Sequence, residues 1–81
     1  MDKEKIKAKV LQWQLLADDL IANDKKAYIK DINDDYYFCD IILNGEQTIT
    51  IQCFAPEQKK GQKFTLNWFS IVKLAEYQEI L

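Results

Sequence analysis

Apolar and polar residues alternate every second position through Tyr36–Phe54, and apolar residues return every third or fourth position through residues 2–23. The first pattern is that of a half-buried strand pair and the second that of an amphipathic helix. In Tyr36–Phe54, two runs rich in β-branched and aromatic residues meet at Asn44-Gly45, a hairpin signal. A two-residue turn there would set Asp40 beside Ile49 in an apolar row. A three-residue loop, Leu43-Asn44-Gly45, pairs Ile42 with Glu46 and places Gly45 at the left-handed position of a bulged turn. One face then carries Tyr37, Cys39, Ile41, Ile49, Ile51 and Cys53. The other carries Tyr36, Phe38, Asp40, Ile42, Thr48, Thr50 and Gln52. The three-residue loop separates apolar from polar better, and a buried face is what fixes register.

The helix over 2–23 has Asp2 as its N-cap, Glu4 in its first turn and a stripe of Ile6, Val10, Trp13, Ala17, Leu20 and Ile21, with Asn23-Asp24 as its stop. Leu11, Leu15 and Leu16 widen the stripe beyond what one sheet face needs. Lysines cluster at the start of this helix and aspartates at its end, the reverse of what the helix dipole prefers, so tertiary packing must hold it. Residues 26–32 alternate as a first strand, and a loop of Asn33, Asp34 and Asp35 would pair Ile29 with Cys39 and Ala27 with Ile41. Tyr28, Lys30 and Ile32 then join Tyr36 and Phe38. Residues 55–62 form the longest loop. Residues 63–68 alternate as a fourth strand with Phe64, Leu66 and Trp68 inward. Residues 70–81 read as a short C-terminal helix capped by Ser70, with Phe69 and Leu74 as a staple; the alternative is a fifth strand that closes a barrel.

The order of elements describes a single α+β domain over residues 1–81. A long N-terminal helix packs on a four- to five-stranded antiparallel meander, or caps a small SH3-like or OB-like barrel. That architecture serves many functions and specifies none.

Composition narrows the chemistry. The chain has no His and no Arg, its eleven cations are all Lys, and Ser70 is its one serine. Ser-His and Cys-His nucleophile pairs are therefore impossible, as is bidentate Arg recognition of phosphate or guanine. Gly45 and Gly61 are too far apart to build a phosphate loop. Asp31-x-Asn33-x-Asp35 opens like a calcium loop, but Tyr36 stands where glycine is required and Ile42 where the closing Glu belongs. No metal, no cofactor and no catalytic residue are expected. In the bulged register Cys53 lies about 13 Å along its strand from the partner of Cys39, beyond disulfide reach. No signal peptide or membrane span is apparent, so a reduced, cytoplasmic protein without membrane contact is expected. A Lys- and Asn-rich, Arg-free composition fits an AT-rich genome of bacterial or phage type.

What remains is an excess of rings over chemistry: four Tyr, four Phe and two Trp in 81 residues. Tyr28, Tyr36, Phe38 and Ile42 form a sheet face with polar neighbours, the composition of an interface centre. The expected function is a non-catalytic protein-interaction module, a regulator, inhibitor or accessory subunit, with a protein partner or a second copy on that face. The alternative is single-stranded nucleic-acid binding, with Tyr and Phe stacking bases and Lys59 and Lys60 of the long loop, with Lys63 just beyond it, meeting phosphate. The same lysines could meet an acidic protein. A net charge of −2 disfavours nucleic acid.

Overall fold

The computed structural model describes residues 3–78, with side chains from Lys7 onward. The expected cap at Asp2, the side chains of Glu4 and Ile6, and the end of the tail at 79–81 lie outside the described residues. Helix α1 spans Lys3–Ala22, and the strands are β1 (Ala27–Asp31), β2 (Tyr36–Asn44), β3 (Thr48–Ala55), β4 (Lys63–Asn67) and β5 (Ile71–Glu76). They form one antiparallel sheet in the order β4-β3-β2-β1-β5. This is the α+β arrangement of helix on meander.

Helix α1 ends where the sequence stops it. Asp24 takes a left-handed φ of 54°. The Lys25 N–H donates to the Leu20 carbonyl at 2.8 Å and the Asp24 N–H to Ile21 at 3.2 Å. This paired closure satisfies carbonyls that a helix end leaves free. The helix lays Val10, Ala17 and Leu20 on the sheet, with Trp13 and Leu16 partly buried beside them. Leu11 and Leu15 point away and stay 57% and 62% exposed, so the wide stripe is only half used.

The sheet face under the helix carries Ala27, Ile29, Tyr37, Cys39, Ile41, Ile49, Ile51 and Cys53, all buried. The face assignment agrees with the alternation, but the register does not. Ile41 pairs with Ile51 and Cys39 with Cys53, a four-residue slide along β3 from the bulged-turn pairing. The irregularity falls between Ile41 and Leu43, within β2. Gly45 is not left-handed. Its N–H donates to the Thr48 carbonyl at 2.9 Å, and an added Cβ would stand 2.8 Å from that oxygen. Close approach, not backbone sign, demands glycine there.

Contacts remote in sequence hold this turn. Gln14 of α1 donates to the Glu46 carbonyl at 3.0 Å, and Asn44 donates to the Gln14 carbonyl and the Asp18 carboxylate, each at 2.8 Å. The fully buried Trp68 donates its indole N–H to the Gly45 carbonyl at 3.0 Å. The first turn differs too. The Asp31 carboxylate, buried, accepts from the N–H groups of Asn33 at 2.8 Å and Asp35 at 3.1 Å. That wraps Ile32–Asp35 into the turn, so Ile29 pairs with Tyr37 and Ala27 with Cys39. Ile32 leaves the strand and is 67% exposed.

The C-terminal segment is a strand, not a helix. Ile71–Glu76 pairs with β1 and buries Ile71 and Leu74. Ser70 caps nothing: its hydroxyl donates to the Asn67 carbonyl at 2.8 Å, inside a 3₁₀ turn, Trp68–Ser70. Two consecutive β-branched residues, Ile71 and Val72, suit the open edge of β1 better than a helix. β4 and β5 lie on opposite edges, about 19 Å apart were the sheet flat. The stretch from Asn67 to Ile71 can span at most about 14 Å, so the sheet curls. The two edge strands make no ladder with each other.

Candidate aromatic interface

The face turned away from α1 holds a cluster of five rings. Phe38 is its centre, 5.4 Å from Tyr28, 5.6 Å from Tyr36, 5.3 Å from Tyr77 and 6.5 Å from Phe54, measured between ring centroids. Phe54 and Tyr77 close the circle edge to face at 5.2 Å. Strand geometry brings them together. Tyr28 and Phe38 are direct cross-strand partners. A second irregularity, between Phe38 and Cys39, puts Phe54 beside them. The Tyr77 N–H donates to the Lys26 carbonyl at 2.8 Å and draws the tail over the same face. Four of the rings are half-buried against one another, and Tyr36 is 43% exposed. Offset and edge-to-face ring pairs are the favoured geometries and contribute about 0.5–1.5 kcal/mol each beyond their area.

Lysines border the rings, and carboxylates match most of them. Lys26 Nζ lies 5.0 Å from the Phe54 centroid and 3.0 Å from Asp40. Lys73 lies 5.8 Å from the Tyr28 ring. Lys30 pairs with Asp34 at 3.3 Å. Lys59 is drawn furthest in, donating to the Tyr36 carbonyl at 2.7 Å, 4.2 Å from the Tyr37 ring and 3.9 Å from Asp35.

Of the residues expected at this site, Tyr28, Tyr36 and Phe38 come together and Ile42 does not. Ile42 sits at the irregularity in β2, 48% exposed, where it lines a groove with Leu20, Ile21 and Lys26 at the end of α1. Lys59 belongs to the 3₁₀ turn Glu57–Lys59 and serves as an internal brace, not a free cation of the loop tip. Lys60 and Lys63 remain exposed. Phe54 and Tyr77 are additions. Phe54 was reachable by carrying the alternation two residues past Gln52. Tyr77 required reading the tail as a strand.

The covered face holds the perturbed titratable groups. Burial first, then its hydrogen bond to Asp31 (3.1 Å), pushes the Tyr37 phenol up to about 12. Burial raises Cys39 to about 12 and also raises Cys53, which Lys59 partly offsets. Thiols held in the protonated form are poor nucleophiles at neutral pH. Among the described residues no three His, Cys, Asp or Glu side chains gather as a metal site, and no helix is long and apolar enough to cross a membrane. The sequence matches no family model, and neither the curated proteins nor the solved structures give a significant match.

Proposed function

We propose that this chain is a non-catalytic protein-interaction module, a regulator, inhibitor or accessory subunit, that receives a protein partner on the ring face of Tyr28, Tyr36, Phe38, Phe54 and Tyr77. One observation carries the reading: a contiguous aromatic cluster lies on the sheet face that α1 leaves uncovered, inside a border of both charge signs. Apolar and aromatic centres within polar rims are what protein interfaces use. The same rings could stack bases, which makes single-stranded nucleic acid the second reading. Against it, Lys26, Lys30 and Lys59 beside the cluster are already matched to Asp40, Asp34 and Asp35, and a phosphate backbone would have to displace or repel those carboxylates. A raised thiol pKa at both cysteines further supports a role without covalent catalysis.

The test is a binding comparison. The wild-type chain, Tyr36→Asp on the ring face and Leu15→Glu on the exposed side of α1 are immobilised and challenged with extract from the native host. Capture that survives Leu15→Glu and is lost in Tyr36→Asp supports the reading. Titration with oligo(dT) and oligo(U) at low salt runs alongside. Tight, salt-sensitive binding there, abolished by Tyr36→Asp, replaces the protein partner with nucleic acid.

A further inference from the structure

Cys39 and Cys53 are free, buried, and direct Cα partners across the β2–β3 ladder. Backbone hydrogen bonds define the kind of pair they make. The Cys53 N–H donates to the Gln62 carbonyl at 2.9 Å, and its own carbonyl accepts from the Gly61 N–H at 2.8 Å. Both backbone groups of Cys53 thus point away from β2. The two residues form a non-hydrogen-bonded antiparallel pair, in which Cα atoms approach to about 4.5 Å and the side chains lie closest. Disulfides bridge Cα separations of about 4.4–6.8 Å. Pairs of this kind fall within that range, and both cysteines lie on the same face of the sheet.

The geometry points to a reversible disulfide-forming site at Cys39 and Cys53, oxidised by the disulfide of a small thiol such as glutathione. Cys53 is the first nucleophile. It adjoins the loop at residues 55–62, where the Lys59 ammonium favours its thiolate against burial. Cys39 lies deeper, fully buried. The Cys53 thiol gives its proton to solvent, and the thiolate attacks one sulfur of the oxidant. That S–S bond breaks, one small thiolate leaves, and a mixed disulfide remains. Cys39, deprotonated in turn, attacks the Cys53 sulfur and expels the second small thiolate. Two protein S–H bonds become one S–S bond, and two electrons pass to the oxidant, which departs as two thiols after taking up two protons.

The site lies directly under the ring cluster. Phe38 precedes Cys39 and Phe54 follows Cys53, and their rings pack together on the opposite face. Closing the bond fixes the spacing of β2 and β3 beneath the centre of the proposed interface. This link to partner binding, unlike the disulfide itself, rests on the reading of the ring face given above.

The experiment incubates the intact native chain with oxidised glutathione, quenches with acid, alkylates in denaturant and weighs the product. The expected product is a monomer lighter than the reduced chain by two hydrogens, alkylated at neither cysteine and restored by dithiothreitol. Its formation quickens as pH rises toward 9, because burial keeps both thiols protonated at neutral pH. Cys39→Ser is expected to stop at a glutathione adduct on Cys53. A native chain that stays reduced while the urea-unfolded chain oxidises under the same conditions overturns the proposal, as does a product linked between chains. Those wild-type outcomes decide the matter even where Cys39→Ser does not fold. Disulfide formation in a wild-type chain whose partner capture is absent, or is unchanged by Tyr36→Asp, leaves this site standing and sinks the interface reading alone.

Discussion

The two faces of this sheet are built from the same strands and solve burial differently. Apart from Tyr37, the covered face uses aliphatic and small residues, with Ala27, Ile29, Cys39, Ile49 and Ile51 at or near zero exposure under α1 and Trp68. Among the described residues no helix covers the open face, which instead collects rings that shield one another, Phe38 most of all, with Tyr77 of the tail among them. Aliphatic side chains need a lid to leave water; a cluster of five rings removes part of its own surface and keeps the remainder for contact. The first face therefore sets stability and the second has area left for a partner.

Substitutions should divide along that line. Trp68→Ala removes a fully buried ring and its bond to Gly45, and should cost about 3–5 kcal/mol in denaturant unfolding. A loss under about 1 kcal/mol would mean that the covered face is not the core. Alkali also attacks the covered face. The Tyr37 phenol titrates near 12 when folded, against 10 for the free group. Its contribution is complete below about pH 10 and is lost as pH rises to about 12, about 3 kcal/mol in all. Tyr37→Phe should flatten that fall in a stability–pH profile.

Phe38→Ala, on the open face, should cost less, about 1–2 kcal/mol, because Phe38 is half-buried and its neighbours can close in. If it equals Trp68→Ala, the distinction between the faces fails. The smallest effect is outside both. Asp24→Gly relieves a left-handed φ of 54° at the close of α1 and should raise stability by about 0.5–1 kcal/mol, with partner capture unchanged.

Face assignment was legible in the sequence and register was not, for one physical reason. Side chains in a strand repeat every two residues, so an even slip leaves every residue on its proper face. The slide that moves the partner of Cys39 from Ile49 to Cys53 is even, as is the shift that pairs Ile29 with Tyr37. What sets the true register is remote: Gln14, Asp18 and Trp68 on the β2–β3 turn. The exception is local, since the buried Asp31 carboxylate gathers the turn before Tyr36. At the ring face, Tyr28, Tyr36 and Phe38 followed from alternation alone. Tyr77 did not, because β5 exists to fill the free edge of β1, and an edge is a property of the assembled sheet. Lys59 reads as one of several loop cations until the 3₁₀ turn carries it onto Tyr36 and Tyr37.

The most direct test of the open face is hydroxyl-radical footprinting of the native chain alone and with its partner bound from host extract. The account predicts protection at Tyr36, Phe38, Phe54 and Tyr77, with Leu11 and Leu15 on α1 reacting as before. Protection confined to α1, with the ring face unchanged, would contradict it.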